Sequence, residues 1–184
     1  MKSIKNKLRL VNWDSEDVES HSPETTSRHV GVEIECVSMV PHSVINWELI
    51  RAGIDLKSFV VKSDGSINTT ETHYFDVEIC LISEQRKIKK LLKRVIKVLN
   101  SLSCEVNESC GLHVHLDMRN RNEATAFNRL VKAQSVLFSI ADKSRIANQY
   151  CRWVEEEDLE DHLNFGHASH YNSINADSLD YRNT

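Results

Sequence analysis

Three stretches of the chain alternate apolar and polar residues, and three others place apolar residues at helical spacing. In "VGVEIECV" (30–37), Val32, Ile34 and Cys36 fall on one side and Glu33 and Glu35 on the other, the period of a half-buried strand beginning at Val30. "HYFDVEICLI" (73–82) sets Phe75, Val77, Ile79 and Leu81 against Asp76, Glu78 and Cys80. "CGLHVHLD" (110–117) sets Leu112, Val114 and Leu116 against His113, His115 and Asp117.

The helical period is clearest in "EQRKIKKLLKRVIKVLNSL" (84–102), where Ile88, Leu91, Leu92, Val95, Val98, Leu99 and Leu102 form one stripe. A second stripe, Phe127, Leu130, Val131, Gln134, Leu137, Phe138 and Ala141, predicts a helix within 122–145 that covers the same sheet. "SVINWELIRAGI" (43–54) predicts a short helix capped by Ser43, with Val44, Trp47 and Ile50 on its inner face. "SFVVKSDGSI" (58–67) predicts a strand closed by a Ser-Asp-Gly turn. Strands precede and separate helices without regular βαβ alternation. The expected class is therefore α+β, a largely antiparallel sheet with helices packed on one face.

Composition changes this picture little. The 184 residues suffice for one compact domain, and five glycines and two prolines argue against wholesale disorder. Residues 1–28, ending in "DSEDVESHSPETTSR", read as a flexible N-terminal arm, leaving 29–184 as the domain. A net charge of −4 argues against a dedicated nucleic-acid binder. The seven basic residues from Arg86 to Lys97 have no interleaved aromatics and read as a solvated helix face. An odd number of cysteines, five, without a CxxC pair reads as reduced thiols. With neither a signal-peptide pattern nor a long apolar run, the expected location is the cytoplasm, without membrane partners.

The polar sides of the strands carry the chemistry. Residues i and i+2 of a strand share a face roughly 6.5–7 Å apart. If the apolar sides pack under helices, one surface collects Glu33, Glu35, Asp76, Glu78, His113, His115 and Asp117. A solvent-washed face usually mixes acids with Lys, Arg, Ser and Thr, because like charges on neighbouring strands repel. These positions contain no Lys or Arg, and a divalent cation would compensate the carboxylates. Carboxylates in excess favour Mg²⁺ or Mn²⁺. A His-x-His pair with one carboxylate would suit Zn²⁺ or Fe²⁺, so a zinc or iron enzyme using His113 and His115 is the alternative.

Four stretches, "GVEIE" (31–35), "SDGSI" (63–67), "VEI" (77–79) and "GLHVH" (111–115), occur in an order that resembles the amidoligase family, related to glutamine synthetase and glutamate–cysteine ligase. "SRIANQYC" (144–151) resembles that family's Ser-Arg followed by Tyr-Cys. Specificity lies in the ordered set, since each string alone is weak. The resemblance implies an ATP- and Mg²⁺-dependent (or Mn²⁺-dependent) carboxylate–amine ligase that forms an amide through an acyl phosphate, its partners being small-molecule or peptide acids and amines. It implies metal ligation by Glu33, Glu35, Glu78 and His113. It implies catalytic roles for Asp64, in binding and deprotonating the amine, and for Arg145, in clamping a phosphate or carboxylate. His115 and Arg145 would contact the cofactor.

In the family, a stretch like "HYNSINADSLDYRNT" (170–184) is followed by a strand resembling Thr-x-Glu-Phe-Arg, whose acid and base complete the site. The sequence here stops at Thr184, so the expectation is a C-terminally truncated domain. Losing those charges would cost on the order of several kcal/mol in the transition state. The chain is then expected to be weak or inactive, or to be a non-catalytic metal- or nucleotide-binding remnant.

Overall fold

The computed structural model describes residues 28–69, 73–117, 123–141, 143 and 151–154. The chain divides into two units, residues 1–117 and 118–184. The expected arm lies outside the described residues except for Arg28, whose carbonyl accepts from Gln85 N at 2.8 Å.

In the first unit, β1 (His29–Ser38), β2 (Phe59–Lys62), β3 (Phe75–Glu84) and β4 (Leu112–Leu116) form an antiparallel sheet ordered β2-β3-β1-β4. Helices α1 (His42–Arg51) and α2 (Gln85–Ser101) and a 3₁₀ turn at Leu56–Ser58 complete the described elements of this unit. The architecture is α+β, as the two hydrophobic periods predict. Register decides which residues share a face. Glu33 stands opposite Cys80 and His113, and Glu35 opposite Glu78. Val32 and Ile34 therefore point with Leu81, Ile79, Val114 and Leu112 to the other side.

That other side is the core. Val32, Ile34, Cys36, Val77, Ile79 and Leu81 pack against Leu91, Val95, Val98 and Leu99 of α2 and Ile45 and Leu49 of α1. The α2 stripe thus lies where its spacing predicts. The α1 stripe holds only in part: Ile50 packs against the core as expected, but Ile45 and Leu49 are the fully buried residues, whereas Trp47 is 63% exposed and Val44 is also exposed. Ser43 is no cap either. Pro41 precedes the helix in an extended conformation, and its carbonyl accepts from Val44 N and Ile45 N, so the cap lies two residues before Ser43.

One further expectation changes. Leu112, Val114 and Leu116 point to the helix-bearing side but are 65%, 58% and 48% exposed. They belong to the edge strand, and the core formed with α1 and α2 is built on β1, β2 and β3. In the second unit, α3 (Glu123–Ile140) buries Phe127, Val131, Gln134 and Phe138. Phe127 and Val131 cluster with Val154, and Phe138 stacks on Trp153. The Gln134 amide accepts from Val154 N at 2.9 Å and donates to Val154 O at 2.7 Å, which explains a buried amide within an apolar stripe. These described contacts of the stripe all lie within the second unit.

The core assignment makes a contrast measurable. Leu99→Ala, at a fully buried position, is expected to lower stability by about 2–5 kcal/mol. Trp47→Ala removes an exposed ring and is expected to change it by no more than about 0.5 kcal/mol. Urea denaturation of the two variants checks the difference.

Candidate metal centre

The face opposite the core is not washed by solvent throughout. Glu35 and Glu78, paired across β1 and β3, are each only 5% exposed. Two loops fold over this end of the sheet and hold each other. Asn68 N donates to Ser109 Oγ at 2.8 Å, and Asn107 Nδ2 donates to Asn68 O at 2.7 Å. Beneath them Val37, Ile67 and Cys110 form a small buried cluster with Tyr74 packed against it. The carboxylates are thus enclosed by chain segments that the strand pattern alone does not place.

Each acid has a distinct environment. Glu35 Oε2 accepts from Gly111 N at 2.6 Å. Burial nevertheless raises its pKa, and the nearby charges of Asp64 and Glu78 act in the same direction. Glu33 Oε2 lies 3.1 Å from His113 Nδ1 and 3.2 Å from His115 Nε2. Burial pushes the Glu33 carboxyl up, but the imidazoles of His115 and His113 outweigh it and hold the group below its ordinary value. His115 Nε2 is itself buried and off the hydrogen-bond line to Glu33. His113 Nε2 also approaches Glu35 Oε1, at 3.8 Å, so this imidazole stands between the two β1 acids.

Asp64 reaches the same end of the face from the turn after β2. Its Oδ1 accepts from Ser66 N at 2.9 Å, and that N–H, followed by lesser contributions, lowers its pKa. Its charge acts on Glu35, and a side-chain hydrogen bond with Glu78 is among the contributions that lower the Asp64 pKa. Asp76 has a different part from the one its alternation suggests. Its Oδ2 accepts from the Ser63 hydroxyl and, at 2.8 Å, from Asp64 N, so it tethers the turn that carries Asp64.

Sequence reasoning missed Lys62. It occupies this face because it is registered opposite Glu78, and its Nζ lies 3.1 Å from Glu78 Oε1. The expectation of a face without Lys or Arg is corrected accordingly: β2 alternates too, but its four residues carry too short a pattern to assign a side before its register is known. Cys80 Sγ donates to the same Glu78 oxygen at 3.0 Å. Burial, then this hydrogen bond, pushes the thiol up to about 12. Cys80 is consequently a protonated donor at neutral pH. Arg145 lies outside the described residues.

The donor set fits a hard divalent cation. Glu33, Glu35, Asp64 and Glu78 bring four carboxylates to one region, opposed by the Lys62 ammonium and the two imidazoles. Among the described residues, ligand atoms of Glu33, Glu78 and Cys80 lie within 4.8 Å of one another. That group holds two carboxylates and a thiol and contains neither imidazole.

Glycines let the side chains approach. A Cβ on Gly111 would stand 2.9 Å from His113 Nε2 and 3.2 Å from Glu35 Oε2, and one on Gly31 would stand 3.2 Å from His115 Cβ. Gly111→Ala meets the movable tip of a ring, so its stability cost is expected to stay below about 1 kcal/mol while His113 swings away from the acids. Denaturation together with nitrogen NMR of the His113 ring checks this, and unshifted ring resonances would contradict the packing.

The comparisons with known proteins follow the same residues. A family model described as "Putative amidoligase enzyme" matches residues 26–184. No curated protein and no solved structure gives a significant match.

Proposed function

The chain belongs to the amidoligase family, and on that premise we propose that it is an ATP- and Mg²⁺-dependent carboxylate–amine ligase whose centre is the enclosed acidic face of the sheet. The observation that carries the proposal is the meeting of Glu33, Glu35 and Glu78 from two strands with His113 from a third, at the end of the face where two carboxylates are buried. Buried acids in such proximity are costly unless charge of the opposite sign reaches them.

Glu33, Glu35, Glu78 and His113 would hold Mg²⁺, with Mn²⁺ an acceptable substitute. When bound, the cation would supply charge neutralisation for phosphoryl transfer from ATP to a substrate carboxylate. An amine then displaces phosphate from the acyl phosphate and forms the amide. Asp64, kept ionised by its turn, attracts the amine as its ammonium form and takes one proton to free the nitrogen lone pair, which then attacks the acyl carbon; the C–O bond to phosphate breaks and a second nitrogen proton passes to the departing phosphate or solvent. Asp76 keeps the Asp64 carboxylate in place by accepting from the Ser63 hydroxyl and the Asp64 N–H. His115, whose Nε2 lies 3.2 Å from Glu33, and Arg145 are assigned to the cofactor by family resemblance, Arg145 clamping a phosphate or carboxylate. Small-molecule or peptide acids and amines are the substrate class. The reduced-thiol composition supports a cytoplasmic location, and no described helix is long and apolar enough to cross a membrane.

The test is ADP and phosphate release from ATP with Mg²⁺ across a panel of acids and amines. Amine-stimulated release is expected, falling by about 100-fold or more in Glu78→Gln, in line with losing one electrostatic group from a transition state. Equal release in Glu78→Gln and the native protein would remove the acidic face from the chemistry.

A further inference from the structure

The acidic face carries its own counter-ion, and the two partners differ in how free they are. Glu78 is buried on the middle strand β3, fixed between Glu35 on β1 and Lys62 on β2. Lys62, by contrast, sits on the edge strand with its side chain 52% exposed. Both donors to Glu78, the Lys62 ammonium at 3.1 Å and the Cys80 thiol at 3.0 Å, converge on the same oxygen, Oε1. A cation using that oxygen has to take the place of the ammonium. The ammonium can leave toward water on its flexible stem, whereas the carboxylate cannot leave the face.

From this asymmetry we propose that Lys62 is a built-in placeholder for the metal: it compensates Glu78 while the centre is empty of cation and is displaced when a divalent ion binds. The inference rests on the metal reading of the face given above. It assigns Lys62 a role that opposes metal binding, so Lys62 weakens the affinity of the nucleotide-free protein. The physical reason is a difference between states. Removing the ammonium leaves buried Glu35 and Glu78 less compensated in the cation-free protein and takes nothing from the cation-loaded one. A residue that merely supported the fold would act in the opposite direction, since its loss would loosen the ligands.

The measurement is Mn²⁺ binding to the full chain without nucleotide, read from loss of the free-ion electron paramagnetic resonance signal. Lys62→Met is expected to bind Mn²⁺ about five- to tenfold more tightly than the native protein, the scale of one partly exposed ion pair. Lys62→Gln is expected to do the same and serves if the Met variant fails to fold. Lys62→Arg, which keeps the charge, is expected to show no tightening. Thermal unfolding gives an independent readout: added Mn²⁺ should raise the midpoint more in Lys62→Met than in the native protein. Native binding with unchanged or weaker binding in the neutral variants would overturn the placeholder role and leave the metal reading standing. Absence of Mn²⁺ binding in native and variant proteins alike would overturn both.

Discussion

Glu35 and Glu78 stand side by side across β1 and β3, buried on the face that does not contain the hydrophobic core. Two carboxylates in that position are the constraint around which the rest of the first unit is arranged. Burial disfavours the charged form of Glu35, and the neighbouring Glu78 charge acts in the same direction. The neighbourhood answers with donors and cations: the Gly111 N–H on Glu35, and the Lys62 ammonium and Cys80 thiol on Glu78. His113 lies between Glu33 and Glu35, so its imidazole responds to both acids of the first strand.

Support for this arrangement comes from the opposite side of the sheet. The apolar residues of β1 and β3 are held by α2 and α1, which fixes the register and hence the facing of every acid. A one-residue slip would send the carboxylates into the core. The loops over the acidic end supply a second anchor through Asn68, Asn107 and Ser109 and through the small cluster of Val37, Ile67 and Cys110. Asp76 extends the same logic to the turn, accepting from the Ser63 hydroxyl and the Asp64 N–H so that Asp64 faces its neighbours in a defined direction. These are the features expected of a centre kept in shape before its ligand arrives: the functional groups are held by partners that have no other task.

Much of this was legible in the chain. Alternation put Glu33 and Glu35, Asp76 and Glu78, and His113 and His115 in same-facing sets, because side-chain direction in a strand depends only on parity. The α2 stripe was equally legible, because seven apolar residues over five turns leave one solution for its buried side. The short α1 was not: its apolar residues Val44, Ile45, Trp47, Leu49 and Ile50 allow two rotations, and the chain entering through Pro41 selected Ile45 and Leu49. The β4 side chains were assigned correctly to a face but wrongly to the core, because parity says nothing about how far the helices extend toward an edge strand.

The sequence by itself therefore determined the strand faces, the fold class, the family, and the set of acids and imidazoles available for a metal centre. Tertiary structure alone decided which of them meet. Pairing order set Lys62 against Glu78, loop closure buried Glu35 and Glu78, and the turn tether gave Asp76 a supporting task. The reason is physical: periodicity is local and follows from backbone geometry, whereas register, enclosure and counter-charge depend on residues distant in the chain, whose contacts exist only once the sheet has assembled.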